Sequence, residues 1–287
     1  VTDLFEPGSS FKPFIIAAAL SSGKWTPEST VATGNGTFTI GGYTVHDDET
    51  LGTITLTRLL QKSSNVGAAK VALSLPSDYL YQVLTGFGFG HPATSGFPGA
   101  AASRLPFYGS WQPVEKASIS RGYGVSVTTL QLAEGYLAIA DGGIFHPATF
   151  LKREAPVSSV RVIPAGIATE LRNMLTTVVS DDGTGRRAQI PNYRVAGKTG
   201  TAHLYQDGDY SKDLYNSVFA GMAPAEHPRL VVVVLLRGAS SGRYFGGQIA
   251  APIFRKVMSG ALRLLDIAPD RVPVLAGADK ADKGGSA

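Results

Sequence analysis

Three short polar motifs, far apart along the 287-residue chain, constrain its fold most strongly. They are Ser9-Ser10-Phe11-Lys12, Ser63-Ser64-Asn65 and Lys198-Thr199-Gly200-Thr201. Together they supply a serine that can attack a carbonyl, amines that can serve as a base and as an anion anchor, and polar groups that can connect them. A fold that uses this chemistry has to bring all three motifs into one cleft.

The local pattern places Ser9 where a helix begins. Glu6-Pro7-Gly8 is a turn signal, and residues 14–20 form an apolar, helix-favouring run. Free backbone N–H groups at that end favour negative charge, which suits an attacking alkoxide, and Lys12 lies on the same helical face as Ser9. A second Ser-x-x-Lys at residues 21–24 follows the apolar run and is typical of a helix exit, so we set it aside.

The other two motifs lie in equally distinct settings. Ser63 to Asn65 falls at a junction between two helical patterns, and Lys198 to Thr201 lies in a strand-like stretch, residues 193–205. Gly200 would let a substrate backbone approach the strand edge, where Thr199 and Thr201 can hydrogen-bond a terminal carboxylate. Backbone N–H groups at Ser9 and Thr201 are the predicted oxyanion donors.

Lys12 is the predicted base for the serine. The chain has five histidines, and they are dispersed without triad or metal-ligand spacing, so we predict neither a metal nor a cofactor. Burial and the nearby cation Lys198 would lower the pKa of Lys12, Ser63 would bridge the two amines and relay a proton, and the Asn65 amide would bind the substrate backbone. Taken singly, the motifs have plainer explanations: a helix cap, a polar loop and a strand end with a solvated lysine.

Hydrophobic periodicity predicts an α+β fold, a mostly helical lobe followed by an antiparallel sheet that a C-terminal helix covers. Residues 76–106 are rich in turn signals, at Pro76, Pro106 and the glycines of 86–99. The predicted elements are a hairpin arm at 33–43, helices near 14–20, 56–60, 66–73, 128–139, 167–178 and 250–265, and strands near 193–205, 218–222 and 230–236.

Composition narrows the function classes further. The net charge is +4, but the basic residues are scattered, which argues against nucleic-acid binding. The chain lacks cysteine, so it cannot use thiolate chemistry, and its longest apolar run, residues 230–236, is too short to span a bilayer. We predict one folded domain over residues 1–274 and a flexible tail over 275–287, which is poor in large apolar residues.

The motifs together resemble the transpeptidase domain of class B penicillin-binding proteins, most closely the septal peptidoglycan transpeptidases. The resemblance extends from Thr2 to about Asp270. It implies the fold of penicillin-binding proteins and serine β-lactamases. Relatives also carry earlier strands of the same sheet, a pedestal domain and a membrane anchor, so this segment alone is expected to be marginally stable. The matching segments are Glu6 to Phe14, Arg121 to Thr128, Val195 to Ala202, Phe219 to Pro224, Tyr244 to Gly247 and Ala250 to Pro252.

The resemblance implies a D,D-transpeptidase that forms peptide cross-links through a Ser9 acyl-enzyme and is a target of β-lactams. Carried over by motif, Lys12 is the base, Ser63 and Asn65 complete the polar centre, and Lys198, Thr199 and Thr201 bind the substrate carboxylate. Three aromatic residues would wall the cleft, with core packing as their alternative role: Tyr215, Tyr244 and Phe245.

The expected partners are peptidoglycan stem peptides, β-lactams, membrane proteins of the division machinery and a glycosyltransferase, with no nucleic acid. The expected location is the periplasmic face of the bacterial inner membrane, held by an N-terminal helix outside this chain. Two residues depart from the family pattern: Ser10 replaces the commoner Thr, and His203 stands where relatives often carry Arg.

Related activities remain open at this level. A class A β-lactamase needs a water-activating Glu between the second and third motifs, and no Glu occurs between Asn65 and Val114, so we expect slow deacylation. A D,D-carboxypeptidase differs only in its acceptor. A β-lactam-binding sensor would keep the serine without turnover.

Overall fold

The computed structural model describes residues 1–92, 95–152, 154, 158–206, 208–240 and 242–271. The predicted domain end at Val274 and the predicted tail, 275–287, lie outside these residues. The helices are α1 (Lys12–Ser21), α2 (Leu56–Lys62), α3 (Asn65–Ser74), α4 (Ser77–Gly86), α5 (Pro113–Ile119), α6 (Thr129–Ala140), α7 (Ala165–Val178) and α8 (Gly246–Leu264). The strands are β1 (Thr30–Gly34), β2 (Thr37–Ile40), β3 (Tyr43–His46), β4 (Gly52–Thr55), β5 (Ile144–Phe145), β6 (Val160–Arg161), β7 (Ala196–Gln206), β8 (Asp209–Ala223) and β9 (Leu230–Ala239).

A sheet of β7, β8 and β9, paired antiparallel in this order, separates two apolar layers. Along β8 the side chains alternate between them, as the period of a strand requires. Val218, Ala220 and Met222 join the main core on the side of the helical lobe. Phe219 packs on the other side with Phe254 of α8. The predicted α+β architecture, with a C-terminal helix over the sheet, is confirmed.

The helical lobe is built around α1. Nine of its ten residues are buried, as expected for a helix that is apolar on all sides and surrounded by others. Phe14 packs edge-to-face on Tyr136 of α6, and its ring also contacts Phe87 and Phe89. The rigid packing of α1 holds the turn that precedes it, where Ser9 lies.

Most predicted helices and strands agree with the structure to within a few residues, but the region between 76 and 106 does not. Residues 77–86 form α4 there, although the glycines and prolines around them suggested loops. α5 was also not predicted, although its start carries a capping box between Gln112 and Glu115. Within the described ranges, no helix has both the length and the apolar character needed to cross a bilayer.

Close backbone contact fixes the turn that carries Ser9. Gly8 donates its N–H to Gly122 O, 3.2 Å away, and a Cβ on Gly122 would lie 2.2 Å from Gly8 O. Both glycines have positive φ, +54° and +75°. Any side chain at Gly122 would therefore push the turn away from the loop that follows α5.

Candidate active site

Ser9 lies in a short 3-10 turn, Gly8–Phe11, directly before α1, and lines a cleft of about 630 Å³. Pro7 and Phe11 occupy the cap positions of this turn and of α1, so the alternative that Ser9 is only a helix cap does not apply. The neighbouring Ser10 is buried and donates its hydroxyl to Pro7 O at 2.6 Å. The turn thus buries one serine and presents the other to the cleft.

Lys12 is the first residue of α1, and its side chain is fully buried. Its Nζ lies 2.5 Å from Ser63 O, 2.8 Å from Asn65 Oδ1 and 3.2 Å from Ser63 Oγ. Among the hydrogen bonds of the described residues, none joins Lys12 to Ser9. The two shorter contacts, to Ser63 O and Asn65 Oδ1, use two N–H bonds of the amine. The third position on the nitrogen faces the Ser63 hydroxyl and can hold either a proton or a lone pair.

Ser63 ends α2 in the left-handed conformation, with φ 62° and ψ 38°. A serine in this region costs on the order of 1 kcal/mol, which the surrounding structure has to supply. The bend directs its hydroxyl between the two amines, since Lys198 Nζ lies 2.8 Å from Ser63 Oγ. The first, second and third motifs are thereby joined in one hydrogen-bonded cluster.

The electrostatics of the two amines differ from those of surface lysines. Burial, and then the nearby Lys198, hold the pKa of Lys12 well below its ordinary value. Burial lowers the pKa of Lys198 to about 7, against a weak opposing effect of Asp48. Two adjacent buried cations repel each other, so the cluster favours one neutral amine and one ammonium. The neutral amine can accept a proton, and the ammonium can attract an anion.

Strand β7 brings Thr199 and Thr201 of the third motif into the cleft lining, and the Lys198 side chain is fully buried. Thr201 Oγ1 accepts a hydrogen bond from Gly246 N at 3.1 Å, which leaves its O–H free to donate to a ligand. Thr199 Oγ1 lies 2.9 Å from Thr184 Oγ1 and 3.3 Å from Lys198 Nζ. These hydroxyls and the ammonium suit a carboxylate.

Gly200 has a role that the sequence did not indicate. A Cβ at this position would lie 2.6 Å from Pro7 O and 3.2 Å from Ser10 N. The space beside Gly200 is therefore occupied by the turn that carries Ser9. The absence of a side chain here lets the turn that carries Ser9 pack directly on β7. The close approach of a substrate backbone to Gly200 stays a prediction.

An aromatic wall borders the same cleft. The rings of Tyr215 and Tyr244 are stacked, 3.9 Å apart with an angle of 11°, and Tyr244 contacts Phe245 at 4.6 Å. Phe245 is 42% exposed, which excludes core packing as its role. His203 lies on Tyr215 at 4.6 Å and its Nδ1 is 2.9 Å from Ser211 O. These rings offer a surface for an apolar or planar part of a ligand.

Sequence reasoning missed Asp47, which directly follows β3. One carboxylate oxygen lies 2.5 Å from Asn65 N and 2.9 Å from Val66 N, and the other accepts from Ser64 Oγ at 2.7 Å. The backbone oxygen of His46 also accepts from Asn65 Nδ2 at 2.8 Å. The Asn65 amide thus has its oxygen on Lys12 and one N–H on His46, and one N–H remains for a substrate. The sequence shows an acidic residue after the predicted arm. It does not show that this residue folds back onto the second motif.

A group of ionic contacts at one end of the cleft was also missed. Lys62 lies 2.8 Å from Asp182 Oδ1 and 3.4 Å from Glu49 Oε2, and Arg58 pairs with Asp182 as well. The sequence showed Asp181 and Asp182 only as the end of a helix. In the fold Asp182 pairs with Arg58 and Lys62 of α2, and Lys62 also reaches Glu49 in the segment between β3 and β4.

Both the sequence and the fold of the chain match a known family. The profile described as the penicillin binding protein transpeptidase domain matches residues 1–259. The chain belongs to this family. Its fold is that of the solved transpeptidase domain of penicillin-binding protein 3 from Burkholderia pseudomallei, with a TM-score of 0.90 and 42% identity over 94% of this chain and 82% of that one. The predicted family and fold are thus confirmed.

Two curated relatives of the transpeptidase domain extend the comparison. The probable peptidoglycan D,D-transpeptidase PbpC of Pseudomonas aeruginosa is 42% identical over 95% of this chain and 48% of its own length. The peptidoglycan D,D-transpeptidase FtsI of Escherichia coli is 39% identical over 94% of this chain and 46% of its own length. The chain therefore spans about half the length of these two relatives.

Proposed function

We propose that this chain is the catalytic domain of a peptidoglycan D,D-transpeptidase that works through a Ser9 acyl-enzyme. The observation that supports this proposal is the position of the Ser63 hydroxyl. Ser63 lines the same cleft as Ser9, and its hydroxyl contacts the two fully buried amines of Lys12 and Lys198. A neutral amine that can take a proton, beside an ammonium that can hold a carboxylate, meets the two needs of acyl transfer from a peptide's carboxyl end.

The reaction has two balanced halves. Ser9 Oγ bonds to the penultimate D-Ala carbonyl carbon as its proton passes to Lys12, and backbone N–H groups of Ser9 and Thr201 hold the oxyanion. The peptide C–N bond then breaks, and the proton returns through Ser63 to the leaving D-Ala amine. In the second half an acceptor amine attacks the acyl carbon and gives a proton to Lys12. The ester C–O bond then breaks, and Lys12 returns the proton to Ser9 Oγ.

The substrate carboxylate would bind at Lys198, Thr199 and Thr201. Its negative charge would raise the pKa of Lys198 and so keep that amine protonated during the reaction. Asn65 would donate its remaining N–H to the peptide, and the wall of Tyr215, Tyr244 and Phe245 would pack on the acyl side. β-Lactams would enter by the same contacts and leave Ser9 acylated.

The cellular role that we propose is cross-linking at the division septum. The named relative FtsI supports it, while PbpC and PenA relatives match at similar identity. The partners would then be stem peptides, membrane proteins of the division machinery and a glycosyltransferase, and the site would face the periplasm from an N-terminal membrane anchor. A fluorescent fusion of the full protein tests this role: midcell rings support it, and uniform labelling of the side wall contradicts it.

Labelling with a fluorescent penicillin tests the chemistry. The full protein should be labelled at Ser9, and Ser9→Ala should abolish labelling, whereas Ser10→Ala should retain it because the Ser10 hydroxyl is buried against Pro7. Persistent labelling of the Ser9 variant would overturn the assignment. Release of D-Ala together with cross-linking of a lipid II polymer separates the enzyme from a sensor, which would be acylated without product.

A further inference from the structure

Arg121 is a buried cation in the cleft wall that the proposed chemistry leaves unused. It lies in the turn after α5, is 8% exposed, and lines the same cleft as Ser9, Ser63 and Asn65. It belongs to the helical lobe, in the loop between α5 and α6. A long charged side chain is seldom buried to this degree without a partner of opposite charge.

Two tyrosine rings hold the guanidinium in place. Its central carbon lies 5.4 Å from the ring centre of Tyr43 and 5.4 Å from that of Tyr123. Nη2 lies 3.3 Å from the Tyr43 hydroxyl, and Nε donates to Ala117 O at 3.3 Å. These contacts orient the planar group and use only part of its donors, since a guanidinium carries five N–H bonds.

The contacts of Arg121 supply no negative charge. Within the part of the chain that the structure describes, no carboxylate forms an ion pair with it, whereas Arg58 at the end of the cleft pairs with Asp182. A desolvated charge without a counter-ion is unfavourable, and an oriented guanidinium matches a carboxylate well. The guanidinium therefore has charge and N–H donors available for an anion.

We infer that Arg121 is a specificity residue that binds a second carboxylate of the acyl donor, distinct from the terminal carboxylate at the Lys198–Thr201 strand. This inference rests on the proposed transpeptidase function. The donor would be a peptide with an acidic group on the residues that precede the scissile bond. The competing explanation is that Arg121 only clamps Tyr43 and Tyr123 together, in which case ligand charge would not matter.

A matched set of penicillins distinguishes these explanations. Benzylpenicillin, its α-carboxy derivative and its α-carbamoyl derivative share one ring system, and the last two differ in charge with little change in shape. In a penicillin the side chain occupies the acyl side, where the second carboxylate would lie. The second-order rate constant for acylation of Ser9 is measured in the full protein with each compound. The readout is the rate constant of the α-carboxy compound divided by that of the α-carbamoyl compound.

The wild-type protein should favour the α-carboxy compound by about tenfold, the order expected for a charge-assisted hydrogen bond. Arg121→Gln should bring the ratio to about one, since the amide retains hydrogen bonding but not charge. Arg121 also lowers the pKa of Lys12, and its removal would change both rate constants. The ratio cancels this common effect.

The matched control is Arg186→Gln, which removes the same charge from an exposed residue that lines the same cleft. We expect it to leave the ratio near the wild-type value, because exposed charges are screened. A wild-type ratio near one overturns the inference without any variant, so it stays falsifiable even if Arg121→Gln does not fold. An Arg121→Gln ratio equal to that of the wild type overturns it as well. Failure of all three penicillins to acylate Ser9 would instead overturn the proposed function, and with it the inference.

Discussion

At the scale of single residues, the hydroxyl of Ser63 links two amines, one of which has to be neutral and the other protonated for the proposed chemistry. Lys12 has to be neutral to accept a proton, while Lys198 has to be charged to hold a carboxylate. Burial lowers both pKa values, that of Lys198 to about 7, and the repulsion between the amines separates them further. The cluster can therefore supply a base and an anion anchor at one pH, which a pair of exposed lysines could not.

The first prediction concerns pH. Acylation should rise with pH as Lys12 loses its proton, at a pKa well below that of an ordinary lysine, and should fall as Lys198 loses its proton near pH 7. The second-order rate constant for acylation by benzylpenicillin depends on the ionisation of groups in the free enzyme, so its pH profile should be bell-shaped. A rate constant that keeps rising from pH 7 to 10 would show that neither amine has the lowered pKa described here.

The second prediction concerns Asp47, which positions the second motif. Asp47→Asn replaces a carboxylate that accepts from two backbone N–H groups and the Ser64 hydroxyl, so the plateau of the acylation rate should fall by about tenfold or more. The control is Asp48→Asn. Both carboxylates raise the pKa of Lys12, so either variant should move the acidic limb to lower pH. Asp48 also raises the pKa of Lys198, so Asp48→Asn should move the alkaline limb to lower pH as well. Only the Asp47 variant should lower the plateau, and equal plateaus would show that Asp47 acts through its charge alone.

At the scale of secondary structure, α8 connects the stability of the sheet to the shape of the cleft. Its first residue, Gly246, donates to Thr201, and the residue before it is Phe245 of the aromatic wall. Further along, Phe254 is fully buried against Phe219 of β8. The outer face of the same helix is exposed, as in Val257, which is 50% exposed.

The third prediction follows from this asymmetry. Phe254→Ala leaves a cavity between α8 and the sheet and should lower the free energy of unfolding by about 3 to 5 kcal/mol. Val257→Ala, on the exposed face of the same helix, should change it by less than about 1 kcal/mol. Urea unfolding followed by circular dichroism measures both. A small effect of Phe254→Ala would mean that α8 contributes little to the core.

At the scale of the whole molecule, the cleft exists only where the helical lobe and the sheet meet. Ser9, Lys12 and Ser63 come from the lobe, and Lys198, Thr199 and Thr201 come from β7. The contact between the two parts is tightest at Gly200, where Pro7 O and Ser10 fill the space of a side chain. The distance between Ser9 and the hydroxyls of β7 therefore depends on the absence of a side chain at Gly200.

The fourth prediction tests that contact. Gly200→Ala places a Cβ 2.6 Å from Pro7 O, so the turn with Ser9 has to move away from β7, and acylation should fall by at least about a hundredfold, the effect of small displacements at reacting centres. The control is Gly260→Ala in α8, where a Cβ meets no atom within 4 Å. That variant should leave acylation unchanged and raise stability by about 0.5 to 1 kcal/mol. Normal acylation of the Gly200 variant would show that the turn adapts.

The sequence by itself determined the family, the order of the helical lobe and the sheet, and the residues of the three motifs, because these depend on local pattern and on residue chemistry. The chemistry of the motifs predicted that Ser63 bridges Lys12 and Lys198, but the tertiary structure alone showed that Asp47 holds the second motif. Asp47 and Asn65 are 18 residues apart, so no local periodicity relates them. The left-handed bend at Ser63, the space beside Gly200 and the lowered pKa values of the two amines likewise arise only when packing removes water and brings distant groups into contact.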